Sequence, residues 1–185
     1  SFMLGVKRTK TIDPDTNRWT MKLTMKHFID DLYSSFKTEV IATLGHRVPK
    51  VPFPEGVILT KAHELNVGEC EANIKRGYQR LVGSLLWAVR HVSPTSAYGC
   101  SQLCKLMSAP SDRAWQAAMH MLAYLYAHGE EGIEFHETDS EPVCFVDASN
   151  KDDPVDGKCQ FGYTINWGGP IIWKSSKLQH VGINS

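Results

Sequence analysis

The pattern of apolar and polar positions changes period several times along the chain, and each change marks an element. Trp19, Met21 and Leu23 alternate with Arg18, Thr20, Lys22 and Thr24, the period of two that a half-buried strand requires. Phe2, Leu4 and Val6 alternate in the same way, and Asp13-Pro14-Asp15-Thr16-Asn17 has turn chemistry, so residues 2–24 read as a β-hairpin. From Lys26 the spacing widens to four: Phe28, Leu32, Phe36 and Val40 predict a helix that Gly45 ends. Residues 48–57 hold three prolines and a glycine. They predict an extended linker, taken here to run to residue 69.

Three helices are predicted next. Leu81, Leu85 and Val89 form the apolar row of residues 78–91, with Val82 and Leu86 beside it. After Ser93-Pro94, residues 96–107 stack Ala97, Cys100, Cys104 and Met107. Ser111-Asp112 supplies capping chemistry for a third helix, striped by Trp115, Ala118, Leu122 and Leu125 and closed by Gly129. Beyond residue 130 the texture turns to β. Val143-Cys144-Phe145-Val146 is a continuous apolar run, expected of a strand buried on both faces. Residues 160–167 and 171–175 flank Gly168-Gly169-Pro170, a hairpin turn. The fold class predicted is α+β: an N-terminal hairpin, a central helical bundle and C-terminal antiparallel strands.

Composition narrows the classes. At 185 residues with 42% hydrophobic and 22% charged positions, the chain is ordinary globular material. No apolar run approaches the roughly 20 residues that span a bilayer, so no membrane association is expected. Five cysteines without Cys-x-x-Cys pairing predict reduced thiols and an intracellular protein, cytoplasmic with the nucleus as a second compartment. The zero net charge conceals a split. Residues 1–50 carry nine Lys/Arg against five acids, whereas residues 130–185 carry four Lys against ten acids. Such a basic N-terminal part hints at nucleic-acid contact.

Several residues invite chemical readings. Asp147 ends the apolar run and shares a strand face with Val143 and Phe145; a carboxylate at the rim of a sheet suits Mg²⁺, a hard ion, and equally suits a turn cap. Phe28-Ile29-Asp30-Asp31 imitates a polymerase aromatic-x-Asp-Asp element, but helical periodicity around it places the two acids on a solvated helix start. Asp152-Asp153-Pro154-Val155-Asp156-Gly157 lacks the ligand spacing of a calcium loop and reads as a solvated turn. Cys100 and Cys104, one helical turn apart, read as small core hydrophobes rather than half of a zinc site with His91 and His120. Lys7, Arg8, Lys10, Arg18 and Lys22, with Trp19 among them, form either a phosphate-tracking surface or a solvated strand edge.

Taken in order, these segments resemble the C-terminal part of copia-type retrotransposon polyproteins. Phe2-Met3-Leu4-Gly5-Val6 is similar to the hairpin that follows the polymerase active-site turn and seats the primer, and Met25-Lys26-His27-Phe28-Ile29 to the helix after it. Tyr78-Gln79-Arg80-Leu81-Val82-Gly83-Ser84-Leu85-Leu86-Trp87 resembles the family's thumb signature most closely. Leu106-Met107-Ser108 with Pro110, then Trp115, Ala117, Ala118, Leu122, Tyr124 and Leu125, is similar to the next block. Phe145-Val146-Asp147-Ala148-Ser149, Gly162-Tyr163 and Ile172-Trp173-Lys174-Ser175-Ser176-Lys177 with Gln179 resemble the opening strands of its ribonuclease H domain. Two departures stand out: Pro94-Thr95-Ser96 replaces the usual Pro-Asp-Ile, and Met119-His120-Met121 with Ala123 and Tyr126 replaces a basic helix.

The resemblance implies residues 1–47 as the palm's end and first thumb helix, and 48–69 as linker. It implies 70–130 as thumb and connection, and 140–185 as the first half of a ribonuclease H-like sheet. It further implies Mg²⁺ as cofactor and Asp147 as a catalytic metal ligand. RNA–DNA hybrid and primer–template duplex are the implied partners, with the remainder of the polyprotein. The family's polymerase Asp-Asp turn is expected upstream of Ser1 and its Ser-Thr-Glu-Ala-Glu segment near Ser185, so the chain is expected to be a fragment inactive alone. The rival expectation is a repurposed retroelement remnant that only binds nucleic acid or protein.

Overall fold

The computed structural model describes residues 1–59, 67–149 and 159–178. The N-terminal strands β1 (Phe2–Met3), β2 (Val6–Ile12) and β3 (Trp19–Thr24) form an antiparallel sheet that continues into β4 (Ile133–His136), in the order β1-β2-β3-β4. Leu4 and Gly5 both have positive φ (54° and 83°), the two-residue turn whose twist suits a hairpin. The alternation of Phe2, Leu4 and Val6 therefore does not mark one strand. It breaks at Leu4, which lies exposed in the turn. At the β2–β3 turn the Asp13 carboxylate accepts the amides of Asp15 (2.8 Å) and Thr16 (3.1 Å), as its turn chemistry predicts. Strand β4 has no sequence signal, since four residues are too few to establish a period. It is entered through Gly132, where φ is 56° and an added Cβ would stand 2.1 Å from the Leu23 carbonyl.

The predicted helix from Lys26 is two helices, α1 (Lys26–Ser35) and α2 (Lys37–Leu44), broken at Phe36, whose φ and ψ are −124° and 16°. Leu32, Phe36 and Val40 are buried as expected, and Ile29 rather than Phe28 occupies the first core position. A third helix, α3 (Val67–Lys75), begins inside the stretch predicted as linker. Its one buried residue is polar: Asn73 donates to the Pro110 carbonyl (3.3 Å) and to the Asp112 carboxylate (2.9 Å), which an apolar-period reading cannot see. Residues 48–59 are not a free tether either. Pro49 is buried, Phe53 packs edge-on against Tyr98, and His120 Nε2 lies 2.9 Å from the Val51 carbonyl oxygen.

Helix α4 (Tyr78–Val92) buries Leu81, Val82, Leu85 and Val89, and Tyr78 donates its hydroxyl to the Leu103 carbonyl at 2.9 Å. A 3₁₀ turn at Pro94–Ser96 leads into α5 (Ala97–Cys104). Of the row expected there only Cys100 is buried. Ala97, Cys104 and Met107 are half-buried against the core, and Leu103 and Leu106 are the fully inward residues. Helix α6 (Asp112–Ala127) is the central one: Ser111 Oγ accepts the Ala114 amide at 3.2 Å, and Trp115, Ala118, Leu122 and Leu125 are buried as predicted. Met119 and Met121 are also fully buried, which gives the absence of basic residues there a packing cause.

Strands β5 (Val143–Ala148), β6 (Gln160–Asn166) and β7 (Pro170–Lys177) form a second antiparallel sheet in that order. The expectation that β5 is buried on both faces is wrong. Val143, Phe145 and Val146 are 49%, 58% and 71% exposed. Among the described residues it is an edge strand, and β7 at the opposite edge packs on α5. Its β6–β7 turn docks on β4: the His136 amide donates to the Gly168 carbonyl (2.7 Å), and a Cβ on Gly169 would stand 2.2 Å from the Glu134 carbonyl oxygen. The fold is α+β with two antiparallel sheets around a helical core. No helix among the described residues is long and apolar enough to cross a membrane.

Candidate nucleic-acid interface

The basic hairpin does not present one surface. Residues opposite each other across a ladder share a face, and Lys7 pairs with Thr24, Arg8 with Leu23, Thr9 with Lys22 and Lys10 with Met21. Lys7 and Lys22 therefore lie on one face and Arg8 and Lys10 on the other, the face that Leu23 turns toward the core. Arg18 falls between the turn and β3. Lys22 is engaged by Glu134 at 3.2 Å, and Lys10 lies over the Trp19 ring, 5.7 Å from its centroid. Five cations that are near in sequence are thus divided in space.

Helix α4 carries a more continuous arrangement. Its buried row fixes the opposite side toward solvent, where Arg80, Gly83, Trp87 and Arg90 follow one another at spacings of three and four, with Gln79 beside Arg80 and Arg76 just before the helix. Two of the cations are held by rings of the core. The Arg76 guanidinium lies 4.7 Å from the centroid of Trp115, and that of Arg80 lies 4.9 Å from the centroid of Phe36. Arg76 also donates to the Asn73 side-chain carbonyl at 3.2 Å. Such stacking lowers the entropy lost when a guanidinium engages an anion. Gly83 has nothing within 4 Å of an added Cβ, so it leaves open space between Arg80 and Trp87. Trp87 is 40% exposed, unusual for an indole on a helix with a full apolar row behind it, and the His91 ring lies tilted by 49° against it with centroids 4.2 Å apart. The ingredients are those of a backbone-tracking surface: fixed cations, a flat aromatic and a gap for close approach.

The sequence reading missed this stripe, which is the complement of Leu81, Leu85 and Val89. Its signal was the exposed tryptophan, hidden in sequence because Trp87 continues the apolar run Leu85-Leu86.

Asp147 lies exposed on β5, opposite Gly162 on β6, with Ser175 of β7 next across the sheet. That face opens on a groove of about 870 Å³ whose other wall is Pro94, Thr95, Ala97 and Tyr98. Thr164 and Asn166 add neutral oxygens to its lining. Among the described residues no three His, Cys, Asp or Glu side chains converge to hold a metal ion. One carboxylate is of the kind Mg²⁺ takes, but it falls short of the donor set of a two-metal site. Asp30 and Asp31 lie on α1, where Asp30 pairs with Lys26 and Asp31 is exposed, as their helical setting predicts. The predicted turn at residues 152–157 lies outside the described residues. His91 Nδ1 and His120 Nε2 lie 2.7 and 2.9 Å from the carbonyls of Trp87 and Val51, and among the described residues they do not converge with Cys100 and Cys104 into a metal-holding group.

Comparison of the chain with protein-family models, with curated proteins and with solved structures gives no match.

Proposed function

We propose that the chain is a nucleic-acid-gripping part of a copia-type retroelement reverse transcriptase with ribonuclease H, in which α4 lies along a primer–template or RNA–DNA duplex. The observation that carries this reading is the exposed row Arg76, Arg80, Gly83, Trp87 and Arg90, two of whose guanidiniums are stacked on core aromatics. Cations positioned in this way bind phosphates and orient a duplex without reading its sequence. In the same proposal Asp147 is the ribonuclease's metal-binding carboxylate, and Mg²⁺ is the ion it would bind with carboxylates supplied elsewhere in the polyprotein. DNA synthesis and RNA-strand hydrolysis belong to that larger protein.

The test is fluorescence anisotropy with a labelled RNA–DNA hybrid of random sequence. Three phosphate contacts give a log–log salt slope of roughly −2.7, at about −0.9 per contact. Arg80→Glu with Arg90→Glu is expected to remove most of the affinity and to flatten the slope. Trp87→Ala is expected to weaken binding with the slope retained. Affinity unchanged by either set refutes the interface.

A further inference from the structure

Gln160, at the start of β6, is buried, and its side chain ends a chain of hydrogen bonds whose direction is fixed. The Lys105 ammonium can only donate, and it donates to Gln102 Oε1 at 3.0 Å. That turns the amide nitrogen of Gln102 toward Gln160 Oε1, 3.4 Å away. Gln160 Nε2 is left to donate both its protons, one to Ser101 Oγ on α5 (3.3 Å) and one to Ser175 Oγ on β7 (2.8 Å). Each serine oxygen accepts in these bonds and keeps its own O–H proton. Among the described residues neither hydroxyl finds an acceptor for that proton.

Both serines line a cavity of about 250 Å³ between α4, α5 and β7. The exposed Arg90 and Lys174 line it on the solvent side. Most other donors around it are spent: the Trp173 indole on the Val89 carbonyl, the Ser176 hydroxyl on the Lys177 carbonyl (3.4 Å), and the Lys174 ammonium over the Phe161 ring. Arg90 has neither an ion pair nor a ring contact among the described residues. No carboxylate among the described residues lines the cavity. Asp147 shares the sheet face but stands two strands from Ser175, roughly 10 Å at 4.7–4.9 Å per strand, a separation that salt screens. The volume lies below the roughly 300–1,000 Å³ of a pocket for a drug-sized molecule, so the guest is small. A cation would meet the Arg90 charge and no carboxylate, and an apolar guest would leave two O–H protons unpaired. An oxyanion answers both.

We propose that this cavity is a phosphate-binding site at the joint between the helical core and the second sheet. The Ser101 and Ser175 hydroxyls donate to two oxygens of the phosphate, and the Arg90 guanidinium neutralises it. The relay from Lys105 through Gln102 and Gln160 holds both hydroxyls in donating orientation before the anion arrives. Arg90 also ends the exposed row of α4, so a phosphodiester of a strand lying on that helix and a free phosphate offer the site the same oxygens. Occupancy by a strand rests on the α4 reading, whereas the site itself does not.

The test is a nuclear magnetic resonance titration of the isotope-labelled whole chain with inorganic phosphate, set against chloride at matched ionic strength. The side-chain amide of Gln160 and the backbone amides of Ser101 and Ser175 are expected to shift saturably, with a Kd on the order of 1 mM for one cation and two neutral donors. Ser101→Ala with Ser175→Ala is expected to weaken binding about tenfold. Arg90→Gln, exposed and outside the relay, is expected to do the same without disturbing the joint. Shifts that chloride reproduces, or that persist undiminished in both variants, overturn the proposal. A second arm adds RNA–DNA hybrid. Displacement of phosphate by the hybrid, with the same three signals moved, identifies the occupant as a strand phosphodiester. Phosphate binding at full strength beside bound hybrid identifies it as free phosphate. Failure of the hybrid to bind removes the α4 reading and leaves the phosphate titration to decide this site alone.

Discussion

The indole N–H of Trp173 donates to the carbonyl of Val89 at 3.0 Å, tying β7 to the last turn of α4. The same carbonyl accepts the Ser93 amide at 3.4 Å, so one oxygen serves both the end of the helix and the attachment of the second sheet. With the Gln160 amide, which donates to Ser101 (3.3 Å) and Ser175 (2.8 Å), it places the sheet against α5 rather than on a flexible tether. The placement of α4 relative to the Asp147-bearing sheet rests on this joint.

Trp173→Phe keeps a ring in place and removes the donor. The expected loss is about 1 kcal/mol of stability, the net worth of one hydrogen bond in a partly buried setting. Urea unfolding followed by tryptophan fluorescence and by far-ultraviolet circular dichroism reads it. A midpoint equal to that of the unsubstituted chain would show that the sheet is held by other contacts.

The division of the hairpin's cations yields a second expectation. Lys7 and Lys22 share one face, Arg8 and Lys10 the other. A duplex touching the hairpin meets one set, so Lys7→Glu and Arg8→Glu are expected to differ in their effect on hybrid affinity. Equal losses from the two single substitutions, each smaller than that of Arg80→Glu, would show a diffuse field rather than a surface. Measuring both at two salt concentrations separates contact from field, because only a direct phosphate contact lowers the salt slope by about 0.9.

How much of this was legible in the sequence depends on what each residue buries. The rows Leu81-Leu85-Val89 and Trp115-Ala118-Leu122-Leu125 were readable because long helices repeat an apolar contact often enough to show a period. Helix α3 was not, since its inward residue is Asn73, held by hydrogen bonds instead of apolar contact. Strand β4 was invisible for a different reason: it is four residues that complete a sheet begun more than a hundred residues earlier. Val143–Val146 misled because an apolar run reports affinity for a cover, while the described residues leave β5 at an edge. Of the candidate site, the cations were visible and their faces were not. Arg76 and Arg80 became distinct from other surface arginines only through Trp115 and Phe36, residues far away in sequence.

The β2–β3 turn supplies an expectation in pH. Backbone hydrogen bonds from Asp15 and then Thr16 hold the Asp13 carboxyl below its ordinary value of 3.8. A depressed carboxylate stabilises the folded turn at pH above its unfolded value, and that contribution is lost as pH falls through the lower folded value. The amide resonances of Asp15 and Thr16 are therefore expected to titrate together in acid, below the ordinary carboxylate value of 3.8. Asp13→Ala is expected to abolish that titration and to leave the resonances of α6 unmoved. A midpoint for these amides above the ordinary value would contradict the turn geometry.

Asp147 gives the last expectation, and two measurements on it separate structure from chemistry. Its carboxylate is exposed at an edge strand, facing Gly162 across the ladder and a groove of about 870 Å³. Removing the charge there breaks no described hydrogen bond, so Asp147→Asn is expected to change stability by less than about 0.5 kcal/mol. A suitable control is Asp31→Asn, exposed on α1; Asp153, the control that the sequence suggests, lies outside the described residues. In the polyprotein to which the chain is proposed to belong, Asp147→Asn is expected to abolish hydrolysis of the RNA strand of a hybrid while hybrid affinity stays unchanged. The reason is that Mg²⁺ exchanges few of its waters for protein oxygens, and losing a charged one leaves too weak a site for in-line attack. For this chain alone, a Mg²⁺ titration followed by the amide shifts of β5 is expected to show weak, millimolar-range binding at most, as a lone carboxylate does little to displace the ion's hydration. Cleavage that survives Asp147→Asn would remove this residue from the reaction, whereas lost cleavage with an unfolded sheet would assign it a structural role instead.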